Sequence, residues 1–309
     1  MTPDSMYSLS TCWNSHRHTD GRAMLREIRD LGFEVAELSH GIRLSLVEGI
    51  LQAVEAGEIR ISSLHNFCPL PMGVTQPAPN LFQFSAEAPR ERDMALRHTL
   101  KTLDFAVRVR APLVVLHLGS VEMKDYSRKL KGLLADGRRD SAKYEKLVTE
   151  ACEKREAKKE AFVERVYDAL HKLVPEAEAR GLRLGVENRE AVEEIPFESD
   201  FGFLFNEFKT PVVTYWHDTG HAQIKENLGF IRHTIHLESL ADRLAGFHLH
   251  DVQAPARDHC PPGTGMIDFA ALKPCVRPEH LKVFEFSPVL SVEEVRQGVA
   301  HVRGLWNGV

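Results

Sequence analysis

Two glutamates and an aspartate sit where a carboxylate is costly. Glu187 lies in the run Leu184-Gly185-Val186-Glu187-Asn188 and Glu285 in Lys282-Val283-Phe284-Glu285-Phe286, and both runs read as strands. Asp218 follows Val213-Thr214-Tyr215-Trp216-His217. An unpaired carboxylate buried in such a run costs several kcal/mol, so it needs a cation or a shifted pKa. The chain also carries sixteen histidines, and His65, His117, His221, His248 and His250 cluster at the ends of apolar runs. Three carboxylates converging on one site repel each other, and a divalent metal ion supplies the compensating charge. Histidines in the same ring favour Mn, Co, Fe or Zn over Ca. The spacing Asp218-x-x-His221 lets both side chains enter one site. His248 and His250 lie two apart on a strand and share a face, while His217 points away from Asp218 and reads as structural.

The elements that position these residues alternate regularly. Strand-like runs fall at 6–11, 33–38, 59–67, 112–119, 182–189, 211–218, 244–251 and 280–287. Helical spacing fills 21–31, 44–57, 88–110, a long stretch to about 180, 197–208, 230–243, 268–275 and 291–305. Gly32 and Gly57 stand at helix ends. Eight β units alternating with helices predict the α/β class and a parallel sheet closed into a (β/α)8 barrel. The rival open sheet lacks a G-x-G-x-x-G turn after its first strand. In such a barrel the site lies at the C-terminal ends of the strands, where the carboxylates and histidines fall.

Residues 124–160 hold twelve Lys/Arg against eight Asp/Glu. They read as a charged helical insertion after strand four, a solvated hairpin in the plainer reading and a lid or partner arm in the sharper one. No low-complexity linker divides residues 1–309, so a single domain is expected. With 43% hydrophobic and 27% charged residues, the chain has ordinary globular composition. Its net charge of −5 argues against a dedicated nucleic-acid binder. No run of about 18 apolar residues predicts a membrane span, and the first ten residues lack the pattern of a secretory leader. Five scattered cysteines with no C-x-x-C pair fit reduced thiols in the cytoplasm. Cys260 beside His259 reads as a free loop thiol. Trp13 and Phe67 read as core residues, and Glu37 and His40 end strand two, either reaching the pocket or pairing with neighbours.

In order, His65-Asn66-x-x-Pro69, Leu116-His117-x-Gly119, Val186-Glu187-Asn188, Asp218-Thr219-Gly220-His221, His248-Leu249-His250-Asp251, Asp258-His259-x-Pro261-Pro262-Gly263-x-Gly265-x-Ile267-Asp268 and Phe284-Glu285-Phe286 make a pattern. It resembles the xylose-isomerase-like TIM barrel superfamily across nearly the whole chain. The resemblance to its sugar isomerases and epimerases implies one divalent metal (Mn, Co, Mg or Zn) held by Glu187, Asp218, His248 and Glu285. It implies that Glu187 and Glu285 also exchange protons with the substrate, that His221 contacts substrate, and that His248 rather than His250 is the ligand. The resemblance to the endonuclease IV branch implies a trinuclear zinc cluster that adds His65, His117, His221 and His259. That branch has Asp where this chain has Arg257, two residues before His259, which puts the third zinc in doubt.

The leading expectation is a metal-dependent isomerase or epimerase of a sugar or related polyhydroxy carbonyl compound, working through a metal-stabilised enediolate. His65, His117, His221 and His259 would bind substrate hydroxyls or further metal, and Arg257 a substrate phosphate. The alternatives are an endonuclease IV-type nuclease, a dehydratase using the same enolate chemistry, and a catalytically silent binding barrel. The expected partner is a small sugar-like molecule, with no membrane, nucleic acid disfavoured, and homo-oligomer formation left open.

Overall fold

Successive side chains of a strand alternate faces, and here that period of two decides what reaches the barrel mouth. The computed structural model describes residues 7–307. The residues read as leader-free, and Met6 of the first expected strand, fall partly outside that range. Eight strands pair in parallel: β1 (Tyr7–Ser10), β2 (Val35–Leu38), β3 (Arg60–His65), β4 (Leu113–Leu116), β5 (Arg183–Glu187), β6 (Val213–Asp218), β7 (Leu244–Leu249) and β8 (Leu281–Phe284). β1 pairs with both β2 and β8, which closes the barrel. The α/β barrel expected from the alternation is therefore present.

The register aligns Leu281 with Gly246 and Val283 with His248, then Asp218 with His248 and Glu187 with Trp216. Inward positions thus run apolar at the bottom and ionisable at the top. Leu113, Val115, Trp216, Leu281 and Val283 pack as one buried interior cluster. Two residues further along the inward face of β4, β6 and β8 stand His117, Asp218 and Glu285. Trp216 is fully buried and fills the interior. Gly246 is required beside it, since a Cβ there would lie 2.6 Å from the indole. A second, larger core lies between the sheet and the surrounding helices.

Those helices are α1 (Gly21–Asp30), α2 (Val47–Glu55), α3 (Pro89–Arg108), α4 (Tyr126–Ala135), α5 (Ala142–Glu156), α6 (Glu160–Ala179), α7 (Phe201–Glu207), α8 (Thr219–Leu228), α9 (His233–Leu240), α10 (Phe269–Leu272) and α11 (Val292–Leu305). None is long and apolar enough to cross a membrane. The charged stretch 124–160 resolves into α4, α5 and the start of α6. It is more tightly fastened than a solvated hairpin. Glu193, in the loop after β5, accepts hydrogen bonds from the α4 backbone at Tyr126 N (2.6 Å) and Ser127 N (3.1 Å). Tyr144 donates to the Leu228 carbonyl at 3.1 Å, and buried Arg155 pairs with buried Asp200 at 2.5 Å.

Two features differ from the sequence reading. Helix α8 begins directly at the end of β6, in a stretch outside the expected helices, because Asp218 caps it by accepting from His221 N at 2.7 Å. The segment after β7 forms an antiparallel hairpin of Asp251–Gln253 with Arg257–Cys260.

Candidate metal centre

Glu187, Asp218, His248 and Glu285 come together at the mouth of the barrel. All four are buried, and one ligand atom from each lies within 4.8 Å of every other. His248 Nδ1 stands 2.6 Å from Glu187 Oε1, 3.3 Å from Glu285 Oε2 and 3.8 Å from Asp218 Oδ2. Burial alone would lower the imidazole pKa, but Glu285, Glu37 and Glu187 drive it well above its ordinary value. Burial would raise Glu187, and His248 and His117 instead hold it well below the usual carboxylate range. A set of three carboxylates and one imidazole around one point fits a divalent cation.

Neighbouring residues fix each member. The Asn188 side chain clamps the Asp218 backbone, accepting from Asp218 N at 2.7 Å and donating to Asp218 O at 3.0 Å. His250 Nδ1 accepts from His259 N at 2.9 Å, so its Nε2 carries the proton and donates to Asp218 Oδ2 at 3.0 Å. His248 therefore enters the centre while His250 holds Asp218. Gly220 must be glycine because a Cβ there would meet the His250 ring at 2.0 Å. Thr219 Oγ1 donates to the His250 carbonyl at 2.8 Å and ties β6 to β7. Asp251 gathers the following loop by accepting from the backbone of Val252 (2.8 Å), Gly263 (2.9 Å), Gly265 (2.9 Å) and Ile267 (3.0 Å). These contacts explain most of the polar and glycine positions in the two strand-end motifs.

The other expected histidines lie around the four. His65 Nε2 is 3.7 Å and His117 Nε2 2.6 Å from Glu187 Oε2. Burial and Arg189 lower His117 to about 3, whereas Glu187 outweighs burial at His65 and raises it. His221 donates from Nδ1 to the Asn188 carbonyl at 3.0 Å. His259 is half-buried, stacks on His250 at 4.2 Å and reaches Glu285 at 3.7 Å. Arg257 is not brought to this group. Its side chain is exposed on the hairpin, lining a cleft of about 300 Å³ with Asp258, His259 and Glu294. His217 packs outside the barrel against Tyr215 and His233, and Trp13 and Phe67 are core residues.

Two contributors had weaker signals in the sequence. Glu37, left open as a pocket or pairing residue, is fully buried and accepts from His248 Nε2 at 3.1 Å and Ser63 Oγ at 2.8 Å. Arg189 was not singled out. It is buried, with Nη1 2.6 Å from His117 Nε2 and 3.0 Å from Glu187 Oε2. Its place two residues beyond Glu187 is the signal that could have found it.

The model of the xylose isomerase-like TIM barrel family matches residues 25–278, and the chain belongs to that family. No curated protein matches the sequence. Among solved structures, the fold is similar to a D-tagatose 3-epimerase-like protein, with TM-score 0.68 and 14% identity over 98% of both chains. It is similar to the 3-keto-D-glucoside 4-epimerase YcjR of E. coli, with TM-score 0.67 and 15% identity over 97% of this chain and 99% of that one. It is also similar to D-psicose 3-epimerase of Clostridium cellulolyticum H10, with TM-score 0.65 and 12% identity over 97% and 99%.

Proposed function

We propose that the protein is a divalent-metal-dependent isomerase or epimerase acting on a sugar or a related polyhydroxy carbonyl compound. The buried convergence of Glu187, Asp218, His248 and Glu285 carries this reading. Three buried carboxylates packed this closely around one imidazole repel one another, and a divalent cation among them relieves that repulsion. A divalent ion such as Mn, Co, Mg or Zn, bound by these four, would supply Lewis acidity toward adjacent carbonyl and hydroxyl oxygens. Sugar epimerases among the structures that share this fold support the substrate class.

The chain's own residues perform the proton transfers. One of Glu187 and Glu285 takes the proton from the carbon beside the carbonyl. The other returns a proton, to the same carbon in an epimerase or to its neighbour in an isomerase. Arg189 places a fixed positive charge beside Glu187 and favours the enediolate that forms between the two transfers. His65, His117, His221 and His259 line the mouth and bind hydroxyls. Buried Trp216 closes the barrel beneath the reacting groups and excludes water from below. A nuclease with a trinuclear cluster fits less well, because Arg257 is turned outward and Arg189 stands against His117 and Glu187.

The test is a panel of ketoses and aldoses incubated with the protein and Mn(II) or Co(II) in deuterium oxide. The expected result is a new sugar carrying deuterium on a carbon next to the carbonyl, lost in Glu187→Gln and Glu285→Gln. Cleavage of abasic-site DNA with no exchange into any sugar would overturn the reading.

A further inference from the structure

Glu187 has two oxygens, and they face different neighbours. Oε1 lies against His248 Nδ1 at 2.6 Å and belongs to the centre described above. Oε2 faces the other way, 2.6 Å from His117 Nε2 and 3.7 Å from His65 Nε2. His117 Nδ1 lies 2.8 Å from Asn80 Oδ1 and its Nε2 lies 2.6 Å from Glu187 Oε2. With His65 Nε2 3.7 Å from the same oxygen, two imidazoles and a carboxylate face one point, residue types that also serve as metal ligands.

The cation that sits there is an arginine. Nη1 of Arg189 is 2.6 Å from His117 Nε2, 3.0 Å from Glu187 Oε2 and 3.4 Å from His221 Nδ1. The far side of the guanidinium is pinned, with Nε and Nη2 each 3.0 Å from Glu194 Oε1. The side chain is buried, and an arginine keeps its charge at every working pH. Its planar fork cannot swing aside without breaking both contacts to Glu194, which would keep only the Ala191 N–H at 3.0 Å.

We infer that Arg189 is a built-in cation occupying a second metal position formed by His65, His117 and Glu187, and that it restricts the chain to a single metal ion. The inference rests on the metal-dependent reading of the four-residue centre and adds the residue that keeps a second ion out. The physical consequence is a division of labour at Glu187. One oxygen is free for the metal, while the other is neutralised by a charge that neither dissociates nor exchanges.

The test counts ions. Wild-type protein, Arg189→Gln and the double variant R189Q/E194Q are stripped with chelator, equilibrated with excess Zn(II), desalted and weighed by native mass spectrometry. Elemental analysis gives an independent count. The double variant removes both members of the Arg189–Glu194 pair and so leaves no orphaned buried carboxylate if the single variant folds poorly. The expected result is one ion in the wild type and two in the variants. His117→Ala placed on top of R189Q should return the count to one. Wild type holding two or more ions, or variants that fold and stay at one, would overturn the inference while leaving the four-residue centre standing. Wild type holding none would overturn that centre and the inference with it.

Discussion

Glu37 Oε2 lies 3.1 Å from Nε2 of His248, on the side of the imidazole opposite the three carboxylates that surround Nδ1. The two residues come from strands β2 and β7, and both are fully buried. A carboxylate accepting from Nε2 orients the ring and turns Nδ1 toward the three carboxylates, as the proposed centre requires. Orienting partners of this kind are worth roughly 10- to 100-fold in metal affinity. Glu37→Gln should therefore weaken binding by roughly that range while leaving the barrel folded. Competition with a fluorescent chelator measures the affinity, and circular dichroism checks the fold.

Trp216 supports the centre from below. Replacing a fully buried tryptophan with alanine costs about 3–5 kcal/mol through lost transfer energy and a cavity. Trp216→Ala should lose stability of that order in urea unfolding. Its metal affinity should fall as well, because Asp218 is two residues along the same strand.

A buried network outside the barrel sets the acid limit of stability. Tyr215 OH lies 2.7 Å from His217 Nδ1 and 2.9 Å from His236 Nε2, and His217 Nε2 lies 2.9 Å from His233 Nε2. Burial lowers His233 to about 3, with His236 adding to the effect. Burial, then Lys225, lowers His236 to about 3. Both imidazoles are neutral in the folded chain and take up protons near pH 6.5 when it unfolds. The unfolded state thus binds more protons below pH 6.5, and stability falls as the pH drops from there toward 3. At pH 5 the loss is about 2 kcal/mol for each histidine. His236→Asn should show a smaller drop in melting temperature between pH 7 and pH 5 than the wild type does.

Arg155 ties the charged hairpin to the barrel. Its guanidinium is buried and pairs with Asp200 at 2.5 Å. Removing one partner of a buried pair costs about 3–5 kcal/mol, and the loss here falls toward the low end because Asp200 keeps Lys159 Nζ and Phe197 N, each at 2.9 Å. Arg155→Leu should lose stability on that scale, and hydrogen exchange should quicken across 142–156 and 194–200. The double variant R155L/D200L should recover little of the loss, because it also strips Lys159 and Phe197 N of this partner.

The barrel was legible because eight apolar runs alternate with helical periodicity. The buried cluster was legible because Glu187, Asp218 and Glu285 each break such a run. Arg189 and Glu37 were harder to read. Charges at a strand end are common on surfaces, and only the closure that brings β2, β5 and β7 to one mouth shows what these two touch. Helix α8 was missed because the Asp218-Thr219-Gly220-His221 segment carries few helix formers. Its start depends on the Asp218 cap and on the room Gly220 leaves for His250. The expected phosphate contact of Arg257 does not coincide with the centre, because the hairpin after β7 turns that side chain outward.

In the proposed centre one cation is held jointly by four residues at the ends of four strands. Anomalous diffraction from crystals soaked in Mn(II) tests this most directly. A single strong peak is expected within coordination distance of Glu187, Asp218, His248 and Glu285. An empty centre at saturating Mn(II), or a peak bound by other residues, would contradict it.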